Sequence, residues 1–325
     1  MVKTVMTSSH PWLSDIWSEW QSSLENDTFS NAALLISQPG LATEELVAAF
    51  SRAVLCGNYV SDACGVCHSC QLMNAHNHPD YHVINPEKAG KSISVDQIRT
   101  CNRLAQESSQ LSGKRLFVIE PAEVMTESAT NALLKTLEEP SSTCMFLLVT
   151  YQPQRLLSTV TSRCQKWQIP KPSSQVIQEW LTQQYTSTIP AYFAHINDNA
   201  PTRIQSFIEK EQEGFYQQIE RGLLDCVMHK GDLVYLAKLL ESAKEDSLRW
   251  IWYMLTDAQK VHFGLDAPYL TPGSKVLAQN ISYEKLYRQA ESLSRLTDQL
   301  REHSGLNGEL LILDWLIKFN EEVCS

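Results

Sequence analysis

"LLISQPGLATEEL", residues 34–46, runs from an apolar stretch through a Pro-Gly turn into a segment able to start a helix. That is the shape of a phosphate-binding loop, whose working form reads G-x-x-x-x-G-K-[ST]. Laid over "SQPGLATE", none of the defining positions survives. Ser37 and Ala42 stand where the flanking glycines belong, and Gly40 falls at a variable position. Thr43 stands in place of the lysine and Glu44 in place of the magnesium-binding hydroxyl. Without the lysine the β- and γ-phosphates lose a point-charge partner, and Glu44 sets a negative charge beside them. The loop alone leaves three readings open: an ATPase with an unusual loop, an ATPase fold that no longer uses ATP, or chance.

Outward from this loop, apolar runs alternate with helical patterns. "ALLIS" (33–37), "YHVIN" (81–85), "KRLFVIE" (114–120), "CMFLLVT" (144–150) and a short "KWQIP" (166–170) read as strands. Between them, 43–56, 92–108 and 126–140 have helical apolar spacing. Ser94 and Gln97 form a capping box, and Pro140 stops the third helix. Such alternation implies a parallel sheet covered on both faces. After Pro170 and Pro172 only helical periodicity remains. The expected organisation is an α/β domain over 1–170, a small helical domain over 171–210 and a larger helical bundle over 211–325.

The 325 residues exceed one average domain, and 20% charged with 43% hydrophobic residues is an ordinary globular balance. No apolar run approaches the ~20 residues of a membrane span, and "MVKTVMTSSHPWLSDIW" lacks the apolar core of a signal peptide. A soluble, cytoplasmic protein is expected. The formal net charge of −10 makes the chain alone a poor ligand for nucleic-acid phosphates.

"CGNYVSDACGVCHSC" sets Cys56, Cys64, Cys67 and Cys70 in a C-x7-C-x2-C-x2-C array. Thiolates two residues apart turn their sulfurs to one side, and four suit tetrahedral Zn²⁺. His68, His76 and His78 lie nearby, but four sulfurs already complete the shell. A closed shell leaves no position for water, so a structural zinc is expected rather than a catalytic one. Cys101, Cys144, Cys164, Cys226 and Cys324 are scattered and read as small core or surface residues. In "LFVIEPAEVM", Glu120 ends the third strand where an ATPase would carry paired acids, and it reads as a solvated strand-end residue.

"NALLKTLEEP" (131–140) and "TSRC" (161–164), set in this layout, resemble the clamp-loader branch of the AAA+ ATPases. Within that branch the chain is similar to the non-hydrolysing subunit class of the bacterial DNA polymerase III clamp loader. The resemblance runs through "HPWL" (10–13), the cysteine cluster, "QLMNAHNHPDYHVINPEK" (71–88), "RLLSTVTSRC" (155–164) and "SGLNGELLILDWL" (304–316). One departure is the seven-residue first gap of the cluster, where the family has eight.

The resemblance implies a RecA-like domain with a zinc module, a helical lid and a helical collar. It implies a five-subunit ring with gamma/tau motor subunits and a delta subunit, which reaches the sliding clamp and primed DNA through the complex. It also implies a stator that hydrolyses no ATP and lends Arg163, in "SRC", to a neighbour's ATP site. A guanidinium suits that task, because it is always charged and presents a planar fork of donors. In the lid, active relatives carry a nucleotide-contacting arginine, and here "NAPT" (199–202) puts Thr202 at that position with Arg203 beside it. Competing readings are an active AAA+ ATPase with an atypical loop and a zinc-dependent nucleic-acid-binding module. Nothing in the chain resembles a polymerase active site.

Overall fold

Five segments pair into one all-parallel sheet of order β2-β3-β4-β1-β5. They are β1 (Ala32–Ile36), β2 (Tyr81–Ile84), β3 (Arg115–Ile119), β4 (Cys144–Thr150) and β5 (Gln165–Gln168). The computed structural model describes residues 10–324, save 89, 112, 187, 229, 230 and 304 and the side chains of 302 and 322–324. Each strand lies where the apolar runs put it, with ends shifted by one or two residues. The chain divides into two compact units at Pro172.

In the first unit, side chains alternate between the two faces of the sheet. Leu34, Phe117, Phe146 and Leu148 face α4 (Val95–Gln106) and α5 (Glu127–Glu138), where Ile98 and Leu133 complete a buried cluster. On the other face Trp167 stacks on Phe29, with ring centroids 5.6 Å apart, and both rings meet Trp20. Trp20 comes from α1 (Ser14–Glu25), and Phe50 from α2 (Thr43–Val54) packs on it at 4.8 Å. Two shorter helices, α3 (His68–Asn74) and α6 (Ser158–Thr161), sit in the connections. The capping box is present: the Gln97 amide N–H donates to Ser94 Oγ, and the Ser94 N–H donates to Gln97 Oε1 at 2.9 Å.

Among the described residues, one ion pair lies wholly inside this unit. Asp80 precedes β2 and Arg115 opens β3, and both are almost fully buried. The Arg115 Nε–H donates to Asp80 Oδ1 at 2.9 Å, and its Nη2–H donates to the Ser108 carbonyl at 2.8 Å. Asp80 also accepts from the Gln110 and Leu111 amides. Burial alone would raise the Asp80 pKa, but these amide bonds and Arg115 outweigh it and hold the carboxyl below its ordinary value.

The second unit has only helices as its regular elements among the described residues. It holds α7 (Ser174–Gln184), α8 (Ala191–Ile196), α9 (Pro201–Glu209), α10 (Glu213–Val227), α11 (Leu233–Ser242) and α12 (Lys244–His262). It continues with α13 (Ser274–Asn280), α14 (Tyr283–Glu302) and α15 (Gly308–Cys324). A single core joins Phe193 and Phe207 of the early helices to Tyr216, Trp250, Leu293 and Phe319 of the later ones. Trp250 is its hub, with the rings of Phe207 and Tyr216 at 5.4 and 5.8 Å. Among the described residues no helix is long and apolar enough to cross a membrane.

Removing one partner of a buried pair leaves the other charge unpaired, at a cost of ~3–5 kcal/mol. Asp80→Asn is expected to lower unfolding stability by about that amount in urea titrations at pH 7. Because the folded pKa of Asp80 is depressed, the pair's contribution is present above the unfolded value near ~4 and is lost as pH falls below it. The difference between the parent protein and Asp80→Asn should therefore shrink in acid. An equal difference at pH 7 and pH 3 would contradict this account.

Candidate functional site

β1 is the topological switch point of the sheet. From it the chain runs out to the edge strand β2, returns through β3 and β4 to one side of β1, and then places β5 on the other. In open parallel sheets the ligand crevice opens outside the carboxyl ends of the strands at such a point. The loop that leaves β1 there is Ser37–Ala42, the segment with the shape of a phosphate loop.

Its backbone keeps an unusual shape. Gly40 has φ +90°, and Ala42, where the second glycine would stand, has φ +57°. Glycine adopts that left-handed conformation freely, whereas alanine does so at a cost of roughly 1 kcal/mol. Side chains close the loop on itself. The hydroxyls of Ser37 and Thr43 are 2.5 Å apart, and both residues are buried. The Trp12 indole N–H donates to the Leu41 carbonyl at 2.9 Å, so the "HPWL" segment seals the loop from one side. Pro39 contributes no N–H. Glu44 and Glu45 fill the exposed first turn of α2, where their charge already answers the helix dipole that would attract an anion.

The neighbouring strand ends close the crevice further. Tyr151, just past β4, donates its O–H to Glu120 Oε1 and its backbone N–H to Glu123 Oε1 at 3.2 Å. Burial, then the bond to Glu120, push the Tyr151 phenol up, so it stays a neutral donor. Glu120 is therefore half-buried and engaged, which corrects the expectation of a solvated strand-end residue. Chain proximity could not reveal this contact, because its partners are 31 residues apart.

The four cysteines converge. The Sγ atoms of Cys56, Cys64, Cys67 and Cys70 all lie within 4.8 Å of one another, and those of Cys64 and Cys70 are 3.9 Å apart. A tetrahedron with Zn–S bonds of about 2.3 Å has S···S edges of about 3.8 Å, so the donors fit zinc. Gly65, with φ +75°, turns the chain between Cys64 and Cys67. Amide N–H groups point at the sulfurs: Cys64 to Cys56 Sγ, Cys67 to Cys64 Sγ and Cys70 to Cys67 Sγ, at 3.3–3.4 Å. The amides of Val66 and Cys67 pull the Cys64 thiol down to about 6. Burial pushes Cys70 up to about 12. No histidine joins this group among the described residues. The His78 ring is engaged elsewhere, its Nε2 2.6 Å from Ser69 Oγ and its Nδ1 accepting from the Asp80 amide. Cys101, Cys144, Cys164 and Cys226 are separately buried, and the side chain of Cys324 lies outside the described residues.

Arg163 lies in the turn between α6 and β5. Gln165 of β5 is in register with Ala33 near the start of β1, so Arg163 sits at the amino-terminal edge of the sheet. The Ser37–Ala42 loop leaves the opposite edge, and the five residues of β1 between them span roughly 16 Å. Arg163 is 31% exposed. Its Nε–H donates to Glu138 Oε1 at 2.7 Å, its Nη2–H donates to the same oxygen, and its Nη1–H donates to the Thr159 carbonyl at 2.8 Å. Nothing in the sequence announces the Glu138 partner, 25 residues away. In the second unit Thr202 lies in the first turn of α9, and Arg203 is tied to Asp198 Oδ2 at 2.5 Å.

Comparison with known proteins places this geometry. Two family models, described as the DNA polymerase III delta subunit and its C-terminal part, match residues 12–173 and 213–321. The DNA polymerase III subunit delta' of Haemophilus influenzae is 30% identical over 98% of this chain and 99% of its own length. The subunits of the same name from Escherichia coli and Yersinia pestis are 30% and 31% identical, each over 95% of this chain and 94–95% of their own lengths. On full-length similarity at this level, the chain belongs to the delta-prime family of DNA polymerase III subunits.

Proposed function

We propose that this chain is the non-hydrolysing stator of a DNA polymerase III clamp loader, the assembly that loads the sliding clamp onto primed DNA. It supplies Arg163 in trans to the ATP site of a neighbouring motor subunit. The observation that carries the reading is the separation of Arg163 from the chain's own phosphate loop by the full length of β1. A partly exposed guanidinium at that edge serves another molecule's nucleotide. The chain's own loop supports the same conclusion: Thr43 is buried against Ser37, and Tyr151 occupies Glu120. Thr43 also stands where the motif would carry the lysine that meets β- and γ-phosphates.

On this reading the partners are gamma/tau motor subunits and a delta subunit in a five-membered ring, working in the bacterial cytoplasm. Clamp and DNA are reached through the assembly, in keeping with the net charge of −10. Residues 171–210 act as the lid and 211–325 as the collar that joins the subunits. Cys56, Cys64, Cys67 and Cys70 hold one zinc, which crosslinks the loop between α2 and α3 and performs no chemistry of its own.

Three outcomes are expected. Titrated alone with ATP in a calorimeter, the chain gives no binding isotherm, and micromolar affinity would sink the dead-site reading. Arg163→Ala leaves the ring assembled but slows DNA- and clamp-stimulated hydrolysis at the facing site by ~10³–10⁵; unchanged hydrolysis would refute the trans role. Native mass measurement finds one zinc per chain, and chelation destabilises the first unit alone. A metal-free chain with an unaltered first unit would overturn the zinc assignment.

A further inference from the structure

Glu138 is the last residue of α5, and its carboxylate is the acceptor for two of the five N–H groups of Arg163. Helix stability does not explain an acid there, since the carboxyl end of a helix disfavours negative charge. Fold stability does not explain the pair either. Its side chains are 31% and 47% exposed, and exposed ion pairs contribute little.

The geometry has a different consequence. The Arg163 backbone is pinned by its N–H bond to the Val160 carbonyl and by β5 two residues later. The guanidinium is then held along its Nε/Nη2 edge by Glu138, with Nη1 bonded to Thr159. Among the described residues, one N–H on Nη1 and one on Nη2 keep no partner. A guanidinium so fixed meets a phosphate with its plane already set, and less rotamer freedom is lost when it docks.

We infer that Glu138 is the positioning residue for Arg163, holding the guanidinium by one edge so that its remaining donors face a neighbour's γ-phosphate. The inference rests on the trans-arginine reading above. Both bonds go to one carboxylate oxygen, so an amide carbonyl in the same place can accept them. Glu138→Gln should therefore retain the function that Glu138→Ala loses.

The test uses the reconstituted complex with its other ATP sites inactivated, so that only the site facing this chain turns over. Arg163→Ala first establishes whether that arginine acts in trans. Glu138→Ala should then lower kcat about ten- to a hundredfold with KM for ATP unchanged. Glu138→Gln should recover most of that loss. The double variant Glu138→Ala/Arg163→Ala should match Arg163→Ala alone, because a positioning residue has nothing left to position. If Arg163→Ala has no effect, the trans-arginine reading itself falls. If Arg163→Ala slows hydrolysis while Glu138→Ala is silent, faster, or additive in the double variant, only the positioning role is overturned.

Discussion

β1 is hydrogen-bonded along both edges, to β4 on one side and β5 on the other, and its first four residues are fully buried. Everything of interest in the first unit follows from that parallel pairing. Parallel strands need long crossovers, so every connection carries a helix or a large loop. They also sort the chain into two edges. Segments that follow strands gather at the carboxyl edge: the Ser37–Ala42 loop, Glu120 and Tyr151. Segments that precede strands gather at the other, and these include Arg163 before β5 and Glu138 before β4.

The two edges are treated differently. At the carboxyl edge polar groups are consumed internally: hydroxyl against hydroxyl at Ser37 and Thr43, phenol against carboxylate at Tyr151 and Glu120, indole against carbonyl at Trp12 and Leu41. A phosphate entering there would break bonds that burial makes expensive to lose. At the amino edge the polar groups are partly exposed, and Arg163 keeps donors in reserve. The polar side chains around the Ser37–Ala42 loop are thus paired with one another, whereas the Arg163 side chain at the opposite edge is 31% exposed.

Much of the fold was legible in the chain. Strands β1, β3 and β4 each carry an unbroken apolar run of at least four residues because both their faces are covered, and such runs stand out. The capping box at Ser94 and the stop at Pro140 are local chemistry, settled within four residues. The cysteine cluster was legible for the same reason: C-x2-C spacing reports a tight turn, and Gly65 makes it. The plug at Tyr151, the Trp12 seal and the Asp80–Arg115 pair were not legible. Their partners lie 29 to 35 residues apart, and no periodicity couples positions so distant.

The sequence by itself determined that the loop after the first strand carries neither the lysine nor the following hydroxyl of a phosphate-binding motif, that four thiols share a turn, and that an arginine follows the fourth strand. Those are facts of residue type and short spacing, which survive without a fold. Only the tertiary structure decided that Thr43 pairs with Ser37, that Tyr151 pairs with Glu120, and that Glu138 grips Arg163. Only it put the arginine and the loop at opposite edges of one sheet, because strand order and parallel direction arise from long-range pairing that no local segment encodes.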